Sequence, residues 1–325
     1  MQRTVVDGCL SDTRAINYGV PQGSLVGPLL FILYINDLPN IIQIANISLY
    51  ADDTVLYFSS HDPKIIESTL NAELSNVAKW FQANKLTLNT KKTKFMLFGT
   101  PKRLKPTTPL NIMIDNTPIE QVDSFKYLGV VLDSVLSFSN HIDYISRKLS
   151  SRIAMLGRSS KFLSKHLLLI LYKSLALPYI DYCDIVWDSC SCQLKNKLQV
   201  LQNRALRIIN KTNRYTPVTE LHNLTKMLTL QQRRNFHTHV FMYKATHDSL
   251  PSYMISNFRK ASEVHSYRTR AALSDSLFVY PSKLTVGKGR MSHRGAISWN
   301  SLPVEIRNAP TLSLFKKWLS PVVSS

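Results

Sequence analysis

The spacing of apolar positions changes character along this chain. Over roughly the first 135 residues most apolar residues fall in short runs bounded by glycine, proline and acidic residues, a strand-like pattern. Arg3 to Leu10 reads as two short strands around an Asp7-Gly8 turn, which makes Asp7 a turn residue. Ile47 to Tyr50 and Thr54 to Phe58 are two apolar runs separated by Ala51, Asp52 and Asp53, the pattern of a β-hairpin with paired carboxylates at its tip. Leu86 to Asn89 and Lys94 to Phe98 suggest a further strand pair around a lysine-rich turn. Strands are also expected at Leu110 to Ile114 and at Phe125 to Leu132, broken at Gly129.

Two helices interrupt these strands. Ser24 can cap the run Leu25 to Leu38, which is apolar on all sides and is therefore expected to be buried on most of them. Asp62 and Pro63 start an amphipathic helix, with Ile66, Leu70, Leu74, Val77 and Phe81 at helical spacing. Gly19 to Ser24 and Gly99 to Pro109 are loops, since their prolines and glycines break regular structure.

Beyond residue 139 the period becomes helical. Ile142, Ile145, Leu149, Ile153 and Leu156 form one stripe, Ser164 to Ala176 a second helix ending before Pro178, and Leu194, Leu198, Leu201, Ala205 and Ile208 a third stripe. A helix over Leu228 to Thr246, a polar loop-rich stretch over 259–294 and a terminal helix near Leu312 to Leu319 follow, with Trp299 read as core. The expected organisation is α+β: 1–138 a small antiparallel sheet with packed helices, 139–215 a basic helical bundle, and 216–325 a mixed region without an assignable role.

Charge sharpens this division. Residues 1–78 hold 3 Lys/Arg against 8 Asp/Glu, whereas residues 79–325 hold 37 against 13, in a chain of formal net charge +19. An acidic head on a strongly basic body suits a metal-carboxylate centre beside a polyanion track and favours nucleic acid as the partner. Four cysteines, Cys9, Cys183, Cys190 and Cys192, are too few and too irregularly spaced for a disulfide scaffold or a zinc pair, and read as free thiols. No run approaches the roughly 20 apolar residues that a bilayer requires, and no signal peptide opens the chain. The expectation is an intracellular protein, nuclear or cytoplasmic, with no membrane partner.

The motifs that carry chemistry are Tyr50-Ala51-Asp52-Asp53 and, upstream, Gly19-Val20-Pro21-Gln22-Gly23-Ser24, followed by Gly27-Pro28-Leu29-Leu30-Phe31 and Tyr34-Ile35-Asn36-Asp37. In this order and spacing they resemble the palm of a reverse transcriptase, that of the non-LTR (LINE-type) retrotransposons. The resemblance implies an RNA-directed DNA polymerase, a nucleotidyltransferase that uses two Mg²⁺ ions about 3.5–4 Å apart. It assigns metal ligation to Asp52 with Asp53 as the adjacent carboxylate, and template or nucleotide contact to Tyr50, Ala51, Pro21, Gln22, Gly23 and Ser24. Leu86 to Gly99 resembles the next family segment, in which Lys92 would protonate or neutralise departing pyrophosphate; Lys91 and Lys94 compete for that role. Phe125 to Asp133 resembles the hairpin that grips the primer, with Tyr127, Leu128 and Gly129 at its turn. The basic helices correspond in place to the thumb, with Arg147, Lys148, Arg152, Arg204 and Arg207 meeting phosphates of an RNA template, a DNA primer or their hybrid.

The family's other metal-binding Asp lies on a strand well upstream of the glycine loop. Only eighteen residues precede Gly19, and Asp7 and Asp12 sit on the wrong hairpin to replace it. The fingers and any endonuclease domain are absent from the matched region as well. The chain is therefore expected to be a C-terminal fragment of a retrotransposon polymerase, unable to polymerise alone and a possible partner for the missing upstream part. The alternative is a non-catalytic nucleic-acid-binding module or a non-functional relic of the element.

Overall fold

The computed structural model describes residues 1, 3–15, 23–104, 109–264 and 276–324, and these divide into two compact units, Met1–Val122 and Asp123–Ser325. The fold is mixed α+β, as the apolar spacing predicts, with small strand pairs and, among the described residues, no barrel. Among the described residues no helix is long and apolar enough to cross a membrane.

The first unit opens with β1 (Val5–Val6) and β2 (Cys9–Leu10), paired antiparallel across Asp7 and Gly8. Both turn residues have positive φ, +49° and +81°, which is the two-residue turn that Asp-Gly favours. Next comes α1 (Gly27–Ile35), whose entry is tied by the Gly27 N–H donating to Ser24 Oγ at 3.2 Å. Then follow β3 (Asn46–Tyr50), β4 (Asp53–Tyr57) and the long α2 (Pro63–Ala83), capped by Asp62 Oδ1 accepting from the Lys64 N–H at 2.9 Å. β5 (Lys94–Phe95) precedes one short turn, α3 (Pro101–Leu104), and then β6 (Met113–Ile114), β7 (Thr117–Pro118) and β8 (Glu120–Gln121).

Two apolar clusters hold this unit, and α2 contributes to both. Leu70, Leu74 and Ala78 pack with Ile112, Ile114 and Ile119, while Trp80 and Phe81 pack with Ile35, Leu38, Ile47 and Leu49. The second cluster thus seats the inward-facing residues of β3 on α2.

Three expectations are corrected here. First, α1 is largely exposed: Leu29, Leu30, Ile32 and Leu33 all face outward, as does Leu25 before it, and only the Phe31 and Ile35 side reaches the Trp80 cluster. Its apolar composition alone cannot tell a covered helix from one whose cover the described residues do not supply. Second, Leu86 to Asn89 forms no strand. The Leu86 N–H returns to the Phe81 carbonyl at the end of α2, and β5 pairs instead with β8, in parallel. Third, the stretch read as loop up to residue 294 contains the start of a helix, Met291–Asn300.

The second unit begins with β9 (Ser124–Tyr127) and β10 (Val130–Asp133), an antiparallel hairpin. Asp133 ends it: its buried carboxylate accepts N–H bonds from Val135, Ser137 and Phe138, turning the chain into α4 (Ser139–Ser159). Then come α5 (Lys165–Leu175), α6 (Leu177–Asp181), α7 (Asp184–Trp187), α8 (Cys192–Asn210), α9 (Val218–Thr225) and α10 (Leu230–Thr246). The predicted stripe Ile142, Ile145, Leu149, Ile153 and Leu156 is fully inside, packed with Leu198, Ala205, Tyr172 and Trp187. A second core gathers Met242, Tyr243, Trp299, Phe315 and Leu319 from α10, the helix Met291–Asn300 and the helix Leu312–Ser324.

Candidate metal and nucleic-acid site

β3 and β4 pair over their whole length in the register Asn46↔Tyr57 to Tyr50↔Asp53, leaving Ala51 and Asp52 as a two-residue turn. Asp52 therefore stands at the tip and Asp53 opens the returning strand, both exposed. Ala51 has φ +51°, a left-handed conformation that costs a residue with a Cβ about 1 kcal/mol or more.

Glu73 on α2 fixes the approach to this hairpin. It is 2% exposed, and its carboxylate accepts the N–H groups of Gln43, Ile44 and Ala45 at 3.0, 2.6 and 3.2 Å, immediately before β3. Nothing in the sequence marks it, since an acid in the middle of an amphipathic helix reads as a surface residue. Glu73→Ala leaves three donors without their acceptor and should destabilise this unit by roughly 2–4 kcal/mol in a denaturant titration, with no effect if water replaces the carboxylate freely.

The remaining sites are placed as follows. Pro21 and Gln22 lie outside the described residues; Gly23 is exposed with φ +83°, and Ser24 is half-buried at the entry to α1. Lys91 and Lys92 are both exposed on the turn before β5, where the Lys92 N–H donates to the Asn89 carbonyl at 3.1 Å. Lys94 forms an ion pair with Glu120.

In the second unit Tyr127 ends β9, paired with Val130, and Leu128 and Gly129 make the β9–β10 turn, with φ +43° and +82°. On α4, Arg147 and Lys148 are exposed and Arg152 half-buried. Three aromatic or cationic neighbours that the sequence did not single out join them. The Lys126 and Lys148 ammoniums lie 4.7 and 5.8 Å from the centre of the Tyr144 ring, and Arg152 hydrogen-bonds the Tyr179 hydroxyl, lowering its pKa. One face thus carries cations from both the hairpin and α4. On α8, Arg204 is exposed but Arg207 is partly buried, and Lys195 and Lys197 pair with Asp188 and Asp143. This helix offers fewer open cations than its sequence suggests.

His141 anchors β10 to α4 by accepting the Val131 N–H at Nδ1, 3.2 Å. Burial first, and the Lys126 charge second, push its pKa down to about 4. The imidazole must be neutral in the fold but gains a proton near its ordinary value of 6.5 when unfolded. The stability it gives is complete above that value and is lost as pH falls toward 4. Wild type should lose roughly 2–3 kcal/mol more than His141→Gln between pH 7 and 4 by urea unfolding; equal losses would contradict this.

Among the described residues one group has the ligand types and proximity for a metal: Asp181, Asp184 and His237. Arg233 already forks onto both Asp181 oxygens, and His237 Nδ1 meets Asp184 Oδ2 at 2.6 Å. That pattern is a charge-paired network rather than an open coordination site.

Residues 2–132 match the family model described as reverse transcriptase (RNA-dependent DNA polymerase). The chain is 29% identical over 242 residues to a probable RNA-directed DNA polymerase from transposon X-element of Drosophila melanogaster, covering 70% of this chain and 26% of that protein. It is 31% identical over 236 residues to the probable RNA-directed DNA polymerase from transposon BS of the same fly, covering 69% and 26%. Against the RNA-directed DNA polymerase from mobile element jockey, also of Drosophila melanogaster, identity is 29% over 63% of this chain and 23% of the relative. The chain thus spans about a quarter of the length of these relatives. No solved structure matches it significantly.

Proposed function

Because the chain belongs to the reverse transcriptase family, matched over residues 2–132, we propose that it is the working edge of a retrotransposon RNA-directed DNA polymerase. In this reading it combines the carboxylate tip of the palm with a basic, thumb-like helical unit that holds an RNA–DNA hybrid. The observation that carries the reading is the tip: two exposed carboxylates on a fully paired β3–β4 hairpin, inside the family-matched region.

Asp52 and Asp53 suit Mg²⁺ in donor type, being oxygen ligands open to solvent and to substrate phosphates. Bound there, the ion would supply activation of the attacking hydroxyl and charge relief at the phosphates. Two adjacent carboxylates fall short of the donor set for a pair of ions, and among the described residues no third His, Cys, Asp or Glu joins them in a ligand cluster. The chain's own residues do the rest. Lys92 supplies a proton or a positive charge to the leaving phosphates. The cations of α4 and β9 hold the hybrid by its backbone, independently of sequence.

The exposed apolar side of α1 fits this account as the seat of polymerase sequence lying outside these 325 residues, since the longer relatives have ample chain to cover it. A second reading, a binding module without chemistry, rests on the same basic unit and differs only in what the tip does.

The test is a pair of measurements on the 325-residue chain. It should bind an RNA–DNA hybrid at low salt and yet extend no primer with Mg²⁺ and deoxynucleotides. Sustained extension would show that the two tip carboxylates suffice, and absence of binding would remove the thumb-like role.

A further inference from the structure

The segment 181–188 touches the turn of the β9–β10 hairpin on one side and the C-terminal helices on the other. The Tyr182 hydroxyl donates to the Leu128 carbonyl at 2.7 Å. Its ring lies so close to Gly129 that a Cβ there would meet Tyr182 Cε1 at 3.0 Å, and the positive φ at Leu128 makes this turn conformation costly to hold without help. Tyr182 is held in turn by its own carbonyl, which accepts the Nε1–H of the fully buried Trp187 at 3.1 Å.

The acids flanking Tyr182 are bound from residues beyond 216. Arg233 of α10 donates to both oxygens of Asp181, at 2.9 Å for Nε, and His237 pairs with Asp184. Asp188 is shared by Arg234 and Arg294, each at 2.8 Å, with Lys195 of α8 on the same carboxylate. Arg234 also stacks against Trp187, 5.9 Å from its ring centre. Asp181 and Asp188 are therefore paired with C-terminal guanidinium groups and Asp184 with the His237 ring, in surroundings dry enough that burial raises the pKa of Asp184. A network this complete fixes the segment in one place, because breaking any pair leaves an uncompensated charge in partly buried surroundings.

We propose that α10 and the helix Met291–Asn300 set the conformation of the Leu128–Gly129 turn through this network, with Tyr182 as the positioning residue that hands it on. The inference rests on the reading of the hairpin as the element that holds the primer end. The C-terminal region then acts on the polymerase by fixing how a recessed DNA 3′ end is gripped, while the phosphate track on α4 holds duplex of any kind.

The experiment uses the full chain and two probes, a hybrid with a recessed DNA 3′ end and a blunt hybrid of equal length. Tyr182→Phe keeps the ring and removes one hydrogen bond. It should weaken the recessed hybrid about fivefold and leave the blunt one unchanged. Arg233→Gln, acting from α10, should do the same, Arg233→Lys should restore part of the loss, and combining it with Tyr182→Phe should add little, because both act along one route. Independent, additive losses, or equal losses on both probes, would overturn the inference. Hydrogen exchange separates it from the reading beneath it. Even if no hybrid binds, Arg233→Gln should speed amide exchange over 124–133 about fivefold relative to the core of α4. Unchanged exchange in the hairpin would refute the route whatever the nucleic-acid result.

Discussion

Asp52→Ala should abolish RNA-templated DNA synthesis in a polymerase made by joining the preceding reverse transcriptase sequence of a relative to Met1 of this chain. The side chain stands at the apex of a two-residue turn, outside both apolar clusters, so its removal costs the fold little. On the proposed reading it takes away one of the two oxygen donors at the tip and leaves Asp53 alone. Hybrid affinity should be unchanged, separating a chemical defect from a binding one. Lys92→Ala should slow the same fusion by about 10²–10⁴, the usual cost of losing a general acid, without stopping it. Lys91→Ala, one residue away on the same exposed turn, is the control that decides which lysine faces the phosphates. A fusion indifferent to Asp52→Ala would reduce the tip to an ordinary acidic turn.

Binding of an RNA–DNA hybrid by the unfused chain should fall roughly a thousandfold between 50 and 200 mM salt, if about six phosphates are contacted. The charge behind this is lopsided, 37 Lys/Arg against 13 Asp/Glu over residues 79–325. Lys195 and Lys197 are paired with Asp188 and Asp143, while Lys126 and Lys148 lie over one Tyr144 ring and Arg147 is exposed on the same helix as Lys148. Reversing Arg147, Lys148 and Arg152 to Glu should weaken all hybrid sequences alike and flatten the salt dependence. Reversing Lys197 should do much less, as its charge is already answered. A binding constant that hardly changes over that salt range would mean that the contacts are not with phosphates.

The carboxylate hairpin was legible because two apolar runs bracket a short polar gap, and pairing such runs leaves the acids nowhere but the tip. The α4 stripe was legible for a similar reason: Ile142 to Leu156 repeats at helical spacing and all five residues are buried. What the sequence concealed are contacts made across long separations. Glu73 reaches segments some thirty residues upstream, and Tyr182 meets Leu128 fifty-four residues away. The parallel pairing of β5 with β8 joins two-residue strands that no periodicity can reveal. Composition misled for α1, where an apolar helix implied a cover that the described residues do not provide, and for the polar stretch before residue 294, which holds the start of a helix. The acids at 181, 184 and 188 carry no sequence mark of their partners, which come from α10 and the helix Met291–Asn300.

The most direct measurement is where a divalent ion binds when a hybrid is present to share its coordination. Mn²⁺ can stand in for Mg²⁺, and its paramagnetism broadens the amide signals of residues close to it. Titrated into the chain with a recessed RNA–DNA hybrid, it should broaden Ala51 to Thr54 first, and Asp52→Asn should remove that effect. Broadening that begins instead around Asp181, Asp184 and His237, and survives Asp52→Asn, would contradict the assignment of the β3–β4 tip as the metal-holding edge of the polymerase.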